Sequence, residues 1–133
     1  MALLIGVVLA ISVGLFATVV GLDRDRAFYP VVTIVVASYY VLFAVMGNST
    51  HALILELLVC AAFALAAVAG FKKSLWIAAG ALAGHGVQDF IHLSVIPNPG
   101  VPIWWPGFCG TYDVSAAIYL VWLIRSGRVR AAG

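Results

Sequence analysis

The chain alternates long apolar stretches with short polar or proline-rich breaks. Five stretches, approximately Leu3–Leu22, Ala27–Met46, His51–Phe71, Ser74–Ile96 and Phe108–Ile124, each come near the roughly 20 residues a helix needs to cross about 30 Å of hydrocarbon. The breaks are Asp23-Arg24-Asp25-Arg26, Gly47-Asn48-Ser49-Thr50, Lys72-Lys73, the segment Pro97 to Gly107, and the tail from Arg125. The prolines of the fourth break make it a non-helical connection in this reading. The pattern predicts an all-α fold, with residues 1–133 forming one domain, an integral membrane bundle of five transmembrane helices joined up and down by short links. The first stretch lacks the positively charged start of a secretory signal peptide, so it is expected to remain as a helix.

Charge adds an orientation. All seven Lys and Arg fall in the first break, the third break and the tail, which under the positive-inside rule places the N-terminus outside and the C-terminus in the cytoplasm of a multi-pass cell-membrane protein. Composition agrees with this picture, at 65% hydrophobic and 9% charged residues, where a soluble domain carries about a quarter charged. A net charge of +2, thinly scattered, excludes a nucleic-acid surface. Cys60 and Cys109 form neither a disulfide framework nor a C-x-x-C pair. Asn48-Ser49-Thr50 matches the N-glycosylation pattern, but it lies too close to the membrane to be a good acceptor.

The informative polar residues are those inside the spans, where an ionisable group is costly and usually faces the bundle interior. Glu56 lies in the third stretch, His85, Asp89 and His92 in the fourth, and Asp113 in the fifth, with Gln88 beside them. His85, Asp89 and His92 are spaced i, i+4 and i+7, which puts them within about 40° on one helix face. Counted from the outer ends of the spans, Glu56 and Asp113 lie about 8 Å deep, Asp89 about 10 Å, His92 about 6 Å and His85 about 16 Å. Three spans thus bring ionisable groups to one half of the bilayer, with no Lys or Arg at that depth.

Carboxylates and imidazoles gathered without a cation have three resolutions: protonation of the carboxylates, pairing with imidazolium, or a bound metal. Neutral imidazole with carboxylate oxygen suits a divalent ion such as Zn or Fe, for which His85, Asp89 and His92 are the candidate ligands. Glu56, Asp89 and Asp113 are the candidate general acids and bases. Interhelical hydrogen-bond glue is the structural alternative for the whole set.

Small residues surround the cluster, since Gly80 and Gly84 make a small-xxx-small element and Gly84 and Gly86 flank His85. The connection from Pro97 to Gly107 contains Trp104 and Trp105, which are read as interfacial anchors or as a stiff lid packing against an apolar substrate. Tyr39 and Tyr40 stand where their hydroxyls could line the same space, and with Gln88 and the two tryptophans they complete the candidate substrate-binding set. Cys109, one turn from Asp113, is a buried thiol or a fourth ligand.

The run Gly84-His85-Gly86-Val87-Gln88-Asp89-Phe90-Ile91-His92, followed by Phe108-Cys109-Gly110-Thr111-Tyr112-Asp113, resembles a pattern in small uncharacterised bacterial multi-span membrane proteins. There a G-H-x-x-x-D-x-x-H helix precedes an F-C-x-x-x-D helix. The resemblance implies that His85, Asp89, His92, Cys109 and Asp113 act as a unit, and it brings no activity with it. No span carries a Lys for retinal.

The function expected from these residues is a membrane enzyme acting on a lipid or isoprenoid. It would use metal-assisted chemistry, or acid–base chemistry such as isomerisation or cyclisation if metal-free. The alternatives are a proton or metal-ion transporter, and an accessory subunit of a larger membrane complex in which the cluster is glue. The transporter reading is weakened because no ionisable residue continues past His85 toward the cytoplasmic ends. A homo-oligomer would reopen it by supplying a path between subunits.

Overall fold

The computed structural model describes residues 1–132. Among them the chain forms five helices, α1 (Ala2–Val20), α2 (Phe28–Met46), α3 (Thr50–Lys72), α4 (Leu75–Val95) and α5 (Trp105–Arg125). Four of these, α1, α2, α3 and α5, are long and apolar enough to cross a membrane. α4 is 21 residues long, and composition sets it apart: His85, Gln88, Asp89 and His92 all fall in its second half.

Helix ends follow local chemistry. α1 stops at Gly21, which takes the left-handed conformation at φ 89° and donates its N–H to Ala17 O, so the helix ends two residues before the apolar run does. Ser49 and Ser74 cap α3 and α4, each hydroxyl accepting from a backbone N–H one turn in. α5 begins at Trp105 and not at Phe108, which corrects the expectation that the connection up to Gly107 is non-helical. Pro106 sits in the first turn, where its missing N–H has no helical partner to lose and its φ suits the helix.

The helices pack as an open ring in the order α1, α5, α4, α3, α2, with α2 also touching α4 and with α1 and α2 not packed together. α1 contributes a narrow stripe of buried small residues, Gly6, Ala10, Gly14 and Ala17, and turns Leu4, Ile5, Phe16 and Val19 outward. An exterior of large aliphatic side chains around an interior of small and polar ones suits a lipid solvent, where packing relies on close backbone approach. A close backbone approach also joins α4 to α5. A Cβ on Gly86 would lie 2.9 Å from Gly110 O, and one on Gly110 would lie 3.0 Å from Gly86 O, so neither position has room for a side chain.

The end that carries the basic residues is tied by polar contacts. Arg26 donates to Phe71 O at 3.0 Å at the end of α3, and Leu75 N at the start of α4 donates to Ala131 O at 2.8 Å. Buried Asp23 accepts from Thr18 Oγ1 at 2.7 Å. These contacts leave the other half of the bundle to the ionisable cluster.

Candidate functional site

The second half of α4 presents His85, Asp89 and His92 on its buried face, as the i, i+4, i+7 spacing demands. What lies opposite depends on which helix faces each turn. His85 meets α5: its Nδ1 lies 2.6 Å from Asp113 Oδ2, and the two share one proton. The same nitrogen is 3.6 Å from Asp89 Oδ2. Asp89 is held on its other side by α2, where Tyr40 Oη donates to Asp89 Oδ1 at 2.7 Å. Cys109 Sγ donates weakly to Asp113 Oδ2 at 4.0 Å. Tyr40, Asp89, His85, Asp113 and Cys109 therefore form one chain of contacts across three helices.

One face-turn further along α4, His92 meets α3. Its Nε2 lies 2.8 Å from Glu56 Oε1, and that oxygen also accepts from Asn98 Nδ2 at 2.9 Å. Asn98 donates a second time to Tyr40 O at 3.0 Å and accepts from Gly100 N at 3.2 Å. The two networks meet at Tyr40, whose ring stacks on His92 at 3.9 Å between centroids. Phe63 sets its ring edge-on to His85 at 4.8 Å, so both imidazoles are fixed by an aromatic contact as well as by a carboxylate.

Burial makes these contacts energetically weighty. Glu56, His85, Asp89, His92, Asn98 and Asp113 are all buried, and an unpaired polar atom in such a place costs a substantial part of its hydration. Yet several atoms have no hydrogen-bond partner among the described residues: Asp89 Oδ2, Asp113 Oδ1, His85 Nε2, His92 Nδ1 and Glu56 Oε2. Glue networks tend to close on themselves. This one leaves an oxygen of each of its three carboxylates without a partner and has no Lys or Arg among its members.

A metal ion would answer that arrangement. His85, Asp89, Cys109 and Asp113, from α4 and α5, each offer one ligand atom, and these atoms lie within 4.8 Å of one another, so the group could hold a metal ion. Bonds of about 2.0–2.3 Å in a tetrahedral site set the donors roughly 3.3–3.6 Å apart. The His85 to Asp89 separation already fits, the His85 to Asp113 contact would open as its proton leaves, and the Cys109 to Asp113 contact would close slightly.

The residues singled out from sequence divide as follows. His85, Asp89 and Asp113 come together, and Cys109 joins them. His92, expected as a ligand beside His85 and Asp89, pairs with Glu56 instead. Seven residues carry His92 about 10 Å along the axis from His85, beyond what two side chains on one metal span easily. Tyr40 is buried in the network. Gln88 is half-buried and lines a cavity of about 320 Å³ between α3 and α4 with Phe63 and His92. Tyr39 and Trp105, with ring centroids 4.8 Å apart, line a different cavity, between α1, α2 and α5. Trp104 is 55% exposed and packs against Trp105 and Phe108. Asn98 was not anticipated; a polar residue between two prolines reads as a turn, and only the fold shows it inserted between α2 and α3.

Comparison with protein-family models, with curated proteins and with solved structures finds no match for the chain.

Proposed function

We propose that this chain is a multi-pass membrane enzyme that binds a divalent metal, zinc or iron, at His85, Asp89 and Asp113, and acts there on a lipid or isoprenoid. In this reading all five helices cross the bilayer, with the N-terminus outside and the basic end of the bundle cytoplasmic. The observation that carries it is the convergence of imidazole, two carboxylates and a thiol, all buried, with ligand atoms within 4.8 Å of one another, and with one oxygen of each aspartate unpartnered. With His85, Asp89 and Asp113 as the ligands and the Cys109 thiol left off the metal, a fourth position stays open, and an open position is what separates a catalytic metal site from a structural one. A divalent ion there supplies Lewis acidity toward a substrate oxygen or a bound water.

The surrounding residues have separable tasks. Tyr40 orients Asp89 through its hydroxyl, Phe63 fixes the His85 ring, and the Gly86 to Gly110 contact holds α4 and α5 at the distance the ligands need. Glu56 and His92 form a hydrogen-bonded pair beside the metal ligands, tied to them through the Tyr40 ring. A metal-free reading also has an observation in its favour: the 2.6 Å contact between His85 and Asp113 already accounts for one proton shared between imidazole and carboxylate, as acid–base chemistry would use.

Elemental analysis of detergent-purified protein separates the two readings, with monodispersity checked for each variant. Near-stoichiometric zinc or iron is expected in the wild type. It should be lost in His85→Ala and Asp89→Ala and kept in His92→Ala. Well-folded wild type that takes up no metal after incubation with zinc and with ferrous iron would remove the metal reading and leave the shared proton.

A further inference from the structure

The open side of the helix ring holds a cavity of about 270 Å³ between α1, α2 and α5. On α2 its lining runs from Phe28 to Tyr39 through Val32 and Val35, about 16 Å along the helix and so close to half of the roughly 30 Å hydrocarbon thickness. α1 contributes Leu9 and Val13, and α5 closes the back with Trp105, Phe108, Cys109 and Tyr112. Leu9, Val31 and Val35 stand at the exposed rim, so the cavity opens sideways, onto the surface that the apolar helices turn to lipid.

The lining is aliphatic and aromatic, with polar atoms only on Tyr39, Tyr112, Trp105 and Cys109. At one end, Trp105 Nε1 is buried with no hydrogen-bond partner among the described residues, although Trp105 belongs to the lining. Four residues further along α5, about 6 Å deeper, Cys109 lines the same cavity and contacts Asp113 of the ligand cluster. The cavity and the cluster therefore share a wall one side chain thick.

From the length of the cavity, its sideways opening and the unpartnered indole N–H, we propose that it binds one hydrocarbon chain of a membrane lipid. The oxygen-bearing end accepts from Trp105 Nε1, and the chain carbons about 6 Å below it rest against Cys109. A bilayer chain would enter without leaving hydrocarbon, and its polar end would satisfy a donor that nothing else in the fold uses. The occupant is a single-chain amphiphile, a fatty acid dissolved in the bilayer. This deepens the reading of the cluster as a site of lipid chemistry, which it relies on for purpose and not for occupancy.

The probe is palmitic acid carrying a mid-chain diazirine, photo-crosslinked to the purified protein in phosphatidylcholine vesicles, with adducts located by peptide mass spectrometry. Adducts should concentrate on Tyr112 and Cys109, and excess unlabelled palmitic acid should suppress them. Val35→Trp, which fills the cavity from its rim, should lower them at least tenfold. Val45→Trp, on the exposed surface of the same helix, should leave them unchanged. Trp105→Phe should raise the competitor concentration needed about tenfold, and no rise would overturn the assignment of the oxygen to Trp105. Labelling that does not saturate in the wild type, or that spreads evenly to exposed residues such as Leu58 and Val87, overturns the proposal even if Val35→Trp fails to fold. Metal content measured on the same preparations tells the two readings apart, since saturable labelling without metal keeps the cavity and removes the metal site.

Discussion

Asn98 offers the sharpest test of how the ionisable cluster is held. It lies in the connection between α4 and α5 but is only 4% exposed. Its amide joins three elements, donating to Glu56 Oε1 at 2.9 Å and to Tyr40 O at 3.0 Å while accepting from Gly100 N at 3.2 Å. Asn98→Ala removes all three bonds and leaves a buried carboxylate and a buried carbonyl without this donor. A hydrogen bond to a charged group contributes about 1.5–3 kcal/mol and each of two neutral ones about 1 kcal/mol, which sums to roughly 3.5–5 kcal/mol. Interhelical bonds measured inside membranes average nearer 0.6 kcal/mol, which sets a floor of about 2 kcal/mol for the three. The expected loss is therefore about 2–5 kcal/mol, some thirty-fold to several thousand-fold in the folding equilibrium.

The assay is reversible unfolding in mixed micelles by titration with dodecyl sulfate, with Ile103→Ala as the control from the same connection. Ile103 is 92% exposed, and its truncation should move stability by no more than about 0.5 kcal/mol. Asn98→Asp should be worse than Asn98→Ala, because it keeps the acceptor for Gly100 but sets a second carboxylate against Glu56. If Asn98→Ala and Ile103→Ala unfold together, the connection is not latched into the bundle and the reasoning from these contacts fails.

The two glycines beside His85 should behave in opposite ways. Gly86→Ala forces a Cβ to within 2.9 Å of Gly110 O and Val114 Cγ2, and should cost about 1–3 kcal/mol of overpacking, whereas Gly84→Ala meets nothing within 4 Å and should leave the melting temperature in detergent unchanged. Tyr40→Phe removes the hydroxyl from Asp89 but keeps the ring on His92. It should weaken metal binding about 10- to 100-fold in competition with a chelator, as loss of a ligand's supporting bond does, and unchanged affinity would show that Asp89 needs no orientation from α2.

Helical periodicity alone collected His85, Asp89 and His92 on one face, and the long apolar runs located the helices to within a few residues. Both signals are local, set by 3.6 residues per turn and by the thickness of hydrocarbon. The pairing of His85 with Asp113 and of His92 with Glu56 is not local. It depends on which neighbour each turn of α4 faces, and so on the Gly86 to Gly110 contact that sets the rotation of α4 against α5. Depth estimates placed Glu56, Asp89 and Asp113 at one level and could not say that they divide between two networks. Asn98 was hidden for a related reason, because Pro-Asn-Pro-Gly has the composition of an exposed turn. Its burial arises only when Gly100 lies so close to α2 that a side chain there would strike Phe43 O. The start of α5 was misplaced because prolines mark both connections and first helical turns.

The composition of α4 bears on how the chain reaches its membrane. On a biological insertion scale an aspartate near the middle of a span opposes partitioning by about 2.5–3.5 kcal/mol, and Asp89 is accompanied by His85, Gln88 and His92. In the five-span arrangement α4 is therefore a poor candidate to leave the translocon alone. Its predecessor α3, joined to it by only Lys73 and Ser74, supplies the carboxylate for His92. Its successor α5 supplies the one for His85. The ribosome delivers those partners on either side of it, so the natural unit of insertion is the trio α3, α4 and α5. The carboxylates that pair with His92 and His85 in the folded bundle would then serve earlier as the escort that brings α4 into hydrocarbon.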